Sequence, residues 1–144
     1  MTTEAQIVTE ARGWIGTPYR HGQSRRGAGC DCLGLIRGVA AGLGVDLPAR
    51  LPPYPPGYAF RGQGEALAAG LSAHLRLLCA DEVLAPGQVL LFRLRARAPA
   101  GHLGILTRAG AIPAMVHAYD RHGVVESPLA APWARRIVAR FAFS

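Results

Sequence analysis

Two cysteines flank an aspartate in GCDCLGLIRG (29–38), directly before an apolar run. If Asp31 caps a helix there, Cys32 is its first residue, where unpaired backbone N–H groups and the positive end of the dipole favour a thiolate. Such positions lower a thiol pKa from roughly 8.5 and make a nucleophile. Cys30 lies before the cap and receives less of that field. The competing reading is that both are small buried hydrophobes, as free cysteines often are. A cysteine nucleophile also needs a base. His102 in GHLGIL (101–106) and His117 in MVHAY (115–119) offer one. With period two, 102, 104 and 106 share one strand face. If 102–108 and 114–119 pair as a hairpin, the two imidazoles meet on that face, one as general base and the other orienting it. A lone strand histidine is more often structural; two on adjacent strands with a helix-start cysteine point to thiol catalysis. Tyr19, in GTPYRHG (16–22), either offers a hydroxyl to a developing oxyanion or packs half-buried after its Thr-Pro turn. His21 stands beside it in a basic loop, His74 falls within a helix, and His122 precedes Gly123 in a turn.

The elements that must position these residues are readable from periodicity. Ile7, Val8, Ala11, Trp14 and Ile15 form one stripe and predict a helix over 4–15, with Thr3 as N-cap and Gly16 and Pro18 beyond its end. RHGQSRRGAG (20–29) is a glycine-punctuated loop. A second helix is predicted over 32–43, with Leu35, Ile36, Val39, Ala40 and Leu43 inward. Five prolines in 48–56 exclude helix and inner strand, so an extended surface loop is expected. Leu67, Leu71, Leu75 and Leu78 predict a third helix over 64–78. After Pro86-Gly87 the period changes to two. Strands are predicted over 89–95, 102–108, 114–119, 124–127 and 136–143. Helices first and an antiparallel sheet second is an α+β pattern.

The chain has 144 residues, 50% hydrophobic, which suits one domain over 1–144 with a real core. No apolar run reaches the eighteen or so residues of a membrane span. The N-terminus carries early acids and no apolar h-region, so synthesis in the cytoplasm without a signal peptide is expected. Three cysteines argue for free thiols rather than a disulfide scaffold. The net charge is +7 and every basic side chain is arginine. Coding bias accounts for the arginine preference; the positive balance still favours anionic surroundings.

GTPYRHG, GCDCLGL, GHLGIL and MVHAYD, in that order over about residues 13 to 120, resemble the NlpC/P60 cysteine peptidases, papain-like enzymes that cut peptidoglycan stem peptides. Among these the chain looks most like the small, signal-less wall peptidases of phage tails and phage-derived gene transfer agents; PWARR (132–136) and VVES (124–127) add to this. The resemblance implies a papain-like fold with N-terminal helices packed on an antiparallel sheet. It implies Cys32 as nucleophile, His102 as base, His117 as the third polar residue, Tyr19 at the oxyanion, and no metal or cofactor. In some members the aspartate at the position of Asp31, with a serine after the cysteine, holds a substrate amine; here that serine is Leu33, which cannot do so. The segment from Tyr19 to Cys32 is also one residue longer than in relatives. The implied scissile bond is γ-D-glutamyl to diaminopimelate. The implied partners are the stem peptide and tail or baseplate proteins, with no nucleic acid. The implied place of action is the periplasm of a target cell, reached in the tail of a phage-like particle.

Three other readings compete. Cys30, Cys32, His102 and His117 could hold zinc, although C-x-C is a poor match to the usual spacing. A non-catalytic tail or baseplate module, or a nucleic-acid module, could use Arg25, Arg26, Arg93, Arg95 and Arg97 as a basic patch, although arginines so spaced are usually a solvated face. An acyltransferase could use the same fold.

Overall fold

The computed structural model describes residues 2–47, 54, 56–61 and 65–143. Thr3 opens α1 (Glu4–Arg12) with a reciprocal cap: its hydroxyl accepts from the Gln6 N–H, and the Gln6 side chain accepts from the Thr3 N–H. The helix stops before the predicted 15. Gly13 caps it and the chain turns, which sends the Trp14 ring into the core over Gly38, where a β-carbon would overlap it. Ile15, predicted inward, is 45% exposed as a result.

A short antiparallel ribbon, β1 (Ser24–Arg25) and β2 (Gly29–Cys30), leads into α2 (Cys32–Gly42). Asp31 is the N-cap, with extended backbone. Leu35, Ile36, Val39 and Ala40 are fully buried, and Leu43 is half-buried at the helix end. The predicted proline-rich loop 48–56 lies outside the described residues except for Tyr54 and Pro56. A four-residue turn of helix, α3 (Tyr58–Arg61), follows.

The third predicted helix is shorter than its leucine pattern. α4 runs Ala66–His74; Leu75 then takes extended backbone, and β3 (Arg76–Leu77) pairs with the last strand. Leu67, Leu71, Leu75 and Leu78 are all buried nonetheless. A helix followed by a strand satisfies the same leucine spacing, so period alone misplaces the boundary.

The remaining strands are β4 (Val89–Phe92), β5 (His102–Arg108), β6 (Ala114–Tyr119), β7 (Gly123–Pro128) and β8 (Ile137–Ala142), with α5 (Ala131–Ala134) between the last two. They form one sheet in the order β3-β8-β4-β5-β6-β7, antiparallel at every pairing. This is the expected α+β architecture. β4 ends at Phe92 rather than 95; the chain then turns, with the Arg93 guanidinium bonded to the Ala98 carbonyl and to Glu65.

The sheet is buried on both faces at its centre, which is why β4 reads VLLF without alternation. Val89, Leu91, Leu103, Ile105 and Val116 face the helices. Leu90, Phe92, Leu106 and Met115 face the other way, where Leu129 and Trp133 from the α5 segment cover them. Each such aliphatic side chain contributes about 1.5–3 kcal/mol by leaving water. Among the described residues no helix is long and apolar enough to cross a membrane. Two arginines of the basic-patch reading are committed internally: Arg26 donates to the Gly13 carbonyl and faces Glu10, and Arg93 pairs with Glu65.

Candidate active site

The start of α2 is built around one buried carboxylate. Asp31 is 1% exposed. Its Oδ1 accepts from the Gly34 N–H at 2.7 Å, and its Oδ2 accepts from the Gly22 N–H at 2.7 Å and from the Tyr54 hydroxyl. His21 Nδ1 lies 3.8 Å from Oδ2. The carboxylate thus ties the helix start, the glycine-rich loop and Tyr54 together, and lies behind Cys32 rather than in the open. Gly34 explains the glycine two places after the cysteine. The loop crosses the helix so closely that a β-carbon at Gly34 would collide with the Gln23 carbonyl oxygen. The Ser24 hydroxyl seals the crossing with a 2.6 Å bond to the Gly34 carbonyl.

Cys32 is 8% exposed, and its Sγ lies 3.5 Å from the carbonyl oxygen of Gly101. Burial and the Asp31 charge push its thiol up to about 12, against the pull of the Leu103, Leu33 and Cys32 backbone N–H groups. This corrects the expectation drawn from helix position: the favourable dipoles are present, but desolvation and the capping charge outweigh them, and the resting group is a thiol. Cys30 is also pushed up to about 12, by burial first and Asp31 second. Geometry separates the two. Cys32 lines a cleft that it shares with His102, whereas Cys30 sits on β2 with its backbone holding the strand-like segment of Pro18, Tyr19 and Arg20.

The predicted hairpin forms, with Ile105 opposite Val116 and Leu106 opposite Met115. His102 Nε2 and His117 Nδ1 are 2.8 Å apart, and His117 Nε2 is 3.0 Å from the Ser127 hydroxyl on β7. Gly104 supplies the room, since a β-carbon there would press on Met115 Sδ at 3.0 Å and His117 Cβ at 3.4 Å. Trp133 closes over the pair, its ring centroid 5.3 Å from His102 and 5.2 Å from His117; Phe92 and Tyr119 complete the aromatic wall. Burial in this wall, then the neighbouring His117, pushes His102 down to about 3. Burial, then His122, pushes His117 down to about 4. Both imidazoles rest neutral. The sulfur contacts the residues on either side of His102, the Gly101 carbonyl and the Leu103 N–H, so base and nucleophile converge at the first residue of β5.

Cys32 and His102 open together into a cleft of about 500 Å³. Tyr19, Tyr54 and Tyr58 line one part of it, and the turn Asp120-Arg121-His122 another. Burial first, then the negative charge that Cys32 would carry once ionised and that of Asp31, hold the Tyr19 phenol above its ordinary value, so it remains a hydroxyl donor. Of the remaining histidines, His21 lines the cleft edge-on to Tyr54, His122 stacks on Tyr119, and His74 is exposed at the end of α4. Cys30, Cys32, His102 and His117 do not form a ligand cluster: among the described residues no group of three or more His, Cys, Asp or Glu is placed to hold a metal ion.

Sequence reasoning passed over Ser127, Trp133, Tyr54 and Tyr58. Ser127 had a signal, since period two from Val125 places it on the His117 face. Trp133 and the tyrosines come from aperiodic segments and reach the site only through tertiary folding.

This arrangement defines an α+β domain with a thiol–imidazole site at the junction of helix and sheet, and solved structures share the fold. One is the NlpC/p60 domain of the peptidoglycan hydrolase SagA, at a TM-score of 0.66 and 19% identity over 98% of this chain and 99% of that one. Another is an NLP/P60-family protein from Staphylococcus aureus described as similar to lipoprotein, at a TM-score of 0.64 and 20% identity over 97% of this chain and 41% of that one. At such identities the likeness is one of fold. No family model and no curated protein matches the sequence.

Proposed function

We propose that this chain is a cysteine endopeptidase that cuts peptidoglycan stem peptides, at the γ-D-glutamyl to diaminopimelate bond, and that a phage-like tail carries it to the wall. The observation that supports this most is the convergence of Cys32 on the backbone around His102, with His102 hydrogen-bonded to His117 at 2.8 Å, at an open cleft. His102 uses Nε2 toward His117, which leaves Nδ1 for the sulfur. As the substrate carbonyl approaches, Nδ1 takes the Cys32 proton and the sulfur forms a bond to the carbonyl carbon. Water-poor surroundings disfavour either charge alone, so thiolate and imidazolium form together as the attack proceeds. Backbone N–H groups at the helix start and the Tyr19 hydroxyl stabilise the oxyanion. The C–N bond breaks as His102 returns the proton to the leaving amine. Water, deprotonated by His102, then releases the acyl group and restores the thiol.

The fold likeness to a peptidoglycan hydrolase domain supports the substrate class, and the excess of arginine suits an anionic wall. The test is digestion of purified Gram-negative sacculi with wild type and Cys32→Ala, with products read by mass spectrometry. Cleaved stem peptides from wild type only are expected, and their masses name the bond. A folded wild type that leaves every stem peptide intact sinks the reading. Tail delivery is tested separately: the chain should co-purify with phage-like particles, and its absence from them removes that part.

A further inference from the structure

The catalytic histidines lack the usual end to a relay. In many such sites the group behind the base is a carboxylate, which fixes the imidazole and stabilises its charge. Here neither His102 nor His117 has a carboxylate within ion-pair distance among the described residues. The His117 ring is 1% exposed, so the hydrogen on its outer nitrogen must find a partner within the protein or cost about 1–3 kcal/mol. The group at that nitrogen is the Ser127 hydroxyl, at 3.0 Å.

The direction of these bonds follows from what the base must do. To accept the thiol proton, His102 needs a lone pair on Nδ1, so its hydrogen sits on Nε2 and is donated to His117 Nδ1. His117 must then accept at Nδ1 and carry its own hydrogen on Nε2, donated to Ser127 Oγ. If His117 carried its hydrogen on Nδ1 instead, His102 Nε2 would have to accept. Its Nδ1 would then be protonated and useless as a base.

We infer that Ser127 is a positioning residue: its hydroxyl oxygen accepts from His117 Nε2 and so satisfies, within the protein, the tautomer that leaves His102 Nδ1 free to deprotonate Cys32. The inference rests on the reading of Cys32 and His102 as nucleophile and base. A hydroxyl does this without introducing charge, which suits a site whose two imidazoles and thiol are all neutral at rest. Ser127 is half-buried on the edge strand β7 and borders a groove with Trp133 that shares Tyr119 and His122 with the substrate cleft, whose own lining does not include Ser127. It therefore acts without touching substrate.

The test pairs kinetics with a direct reading of the tautomer. Ser127→Ala should lower kcat about ten- to hundredfold with KM changed less than about twofold, and Ser127→Thr, which keeps the hydroxyl, should restore kcat to within about threefold. Ser127→Asp supplies a carboxylate acceptor. The titratable groups that share its groove are His117 and Tyr119 from β6 and His122 from the turn, with His102 from β5 bonded behind His117 and the uncharged Trp133 ring from α5 beside them. The acid limb of kcat/KM should therefore move up by about one pH unit or more, and further than in Ser127→Ala, which adds no charge. Independently of turnover, 15N NMR of the resting wild type should show His117 protonated at Nε2, with Ser127→Ala populating the Nδ1–H form. Unchanged kcat in Ser127→Ala, or an Nδ1–H His117 in wild type, overturns the inference. An intact sacculus after wild-type digestion would count against the peptidase reading alone, because the NMR result still decides the role of Ser127.

Discussion

The two halves of the site are held by different physics. Around Cys32 the structure is held by polar contacts: one buried carboxylate, Asp31, accepts from two backbone N–H groups and a phenol. Around His102 and His117 it is aromatic: Phe92, Tyr119 and Trp133 surround the imidazoles, and the polar contacts are one bond between the rings and one to Ser127. The difference suits the two tasks. A nucleophile at a helix start must be held to a fixed backbone, and hydrogen bonds to a rigid acceptor fix backbone direction. A base must alternate between neutral and charged forms, and packing fixes a ring without committing its nitrogens.

The contrast breaks most severely at Asp31. Asp31→Ala removes the acceptor from three buried or half-buried donors at once, and unmet donors of this kind cost about 1–3 kcal/mol each. A loss of about 3–5 kcal/mol is expected by denaturant titration. Asp31→Asn, which keeps an acceptor oxygen, should lose about half as much. If Asp31→Ala unfolds at the wild-type midpoint, the polar half is held by something else.

On the aromatic side, Trp133→Ala should cost about 2–3 kcal/mol, less than a fully buried tryptophan because this one is half-buried. Its more telling effect is on the histidines. Water admitted beside them relieves the burial that depresses both pKa values, so the acid limb of kcat/KM should rise toward the ordinary value near 6.5. A destabilised Trp133→Ala with an unmoved acid limb would show that Phe92 and Tyr119 alone keep the pair dry.

How far the sequence carried depends on the kind of signal. Thr3 and Asp31 are capping residues by chemistry, and both cap as predicted. The strands 102–108 and 114–119 are recovered to the residue, because they are short apolar runs bounded by Gly101, by Gly110 and Pro113, and by Asp120. Leu75 and Ile15 misled, since a leucine or isoleucine at helical spacing does not say whether the helix continues to reach it. At the site, spacing was enough to place Cys32 at the first position of α2 and His102 beside His117. The thiol's resting state was not readable, because burial is a property of the whole fold. Tyr54 reaching Asp31 and Trp133 reaching His102 were unreadable for the same reason: each joins segments far apart in the chain without a periodic pattern to announce the meeting.

Protonation tests the comparison on the intact protein. Both histidines have folded pKa values, about 3 and about 4, below the ordinary 6.5. The unfolded chain therefore binds more protons than the folded one in that window, and stability rises with pH. The contribution is complete above about pH 6.5 and is lost as the pH falls toward 3–4. Melting temperature should thus fall on acidification from 7 to 5. His117→Asn, whose amide can accept from His102 and donate to Ser127, should lose less over the same range. Equal losses in the two proteins would mean that His102 alone, or the carboxylates, govern acid lability.

The smallest effect is expected at Gly104, and it sharpens the contrast by asking how stiff the histidine half is. A β-carbon there lies 3.0 Å from Met115 Sδ and 3.4 Å from His117 Cβ, so one neighbour must give by a few tenths of an ångström. The thioether is unbranched and has several torsions to adjust, whereas the His117 ring is fixed at both nitrogens. Met115 should therefore yield. Residual crowding costs about 1 kcal/mol, and replacing a strand glycine returns about 0.5–1 kcal/mol of backbone entropy. Gly104→Ala is then expected to unfold within about 1 kcal/mol of wild type and to keep kcat within about threefold. A tenfold or greater loss of kcat at unchanged stability would mean that His117 moved instead of Met115. The outer-face packing around Met115 would then be stiffer than the hydrogen bonds that hold the relay.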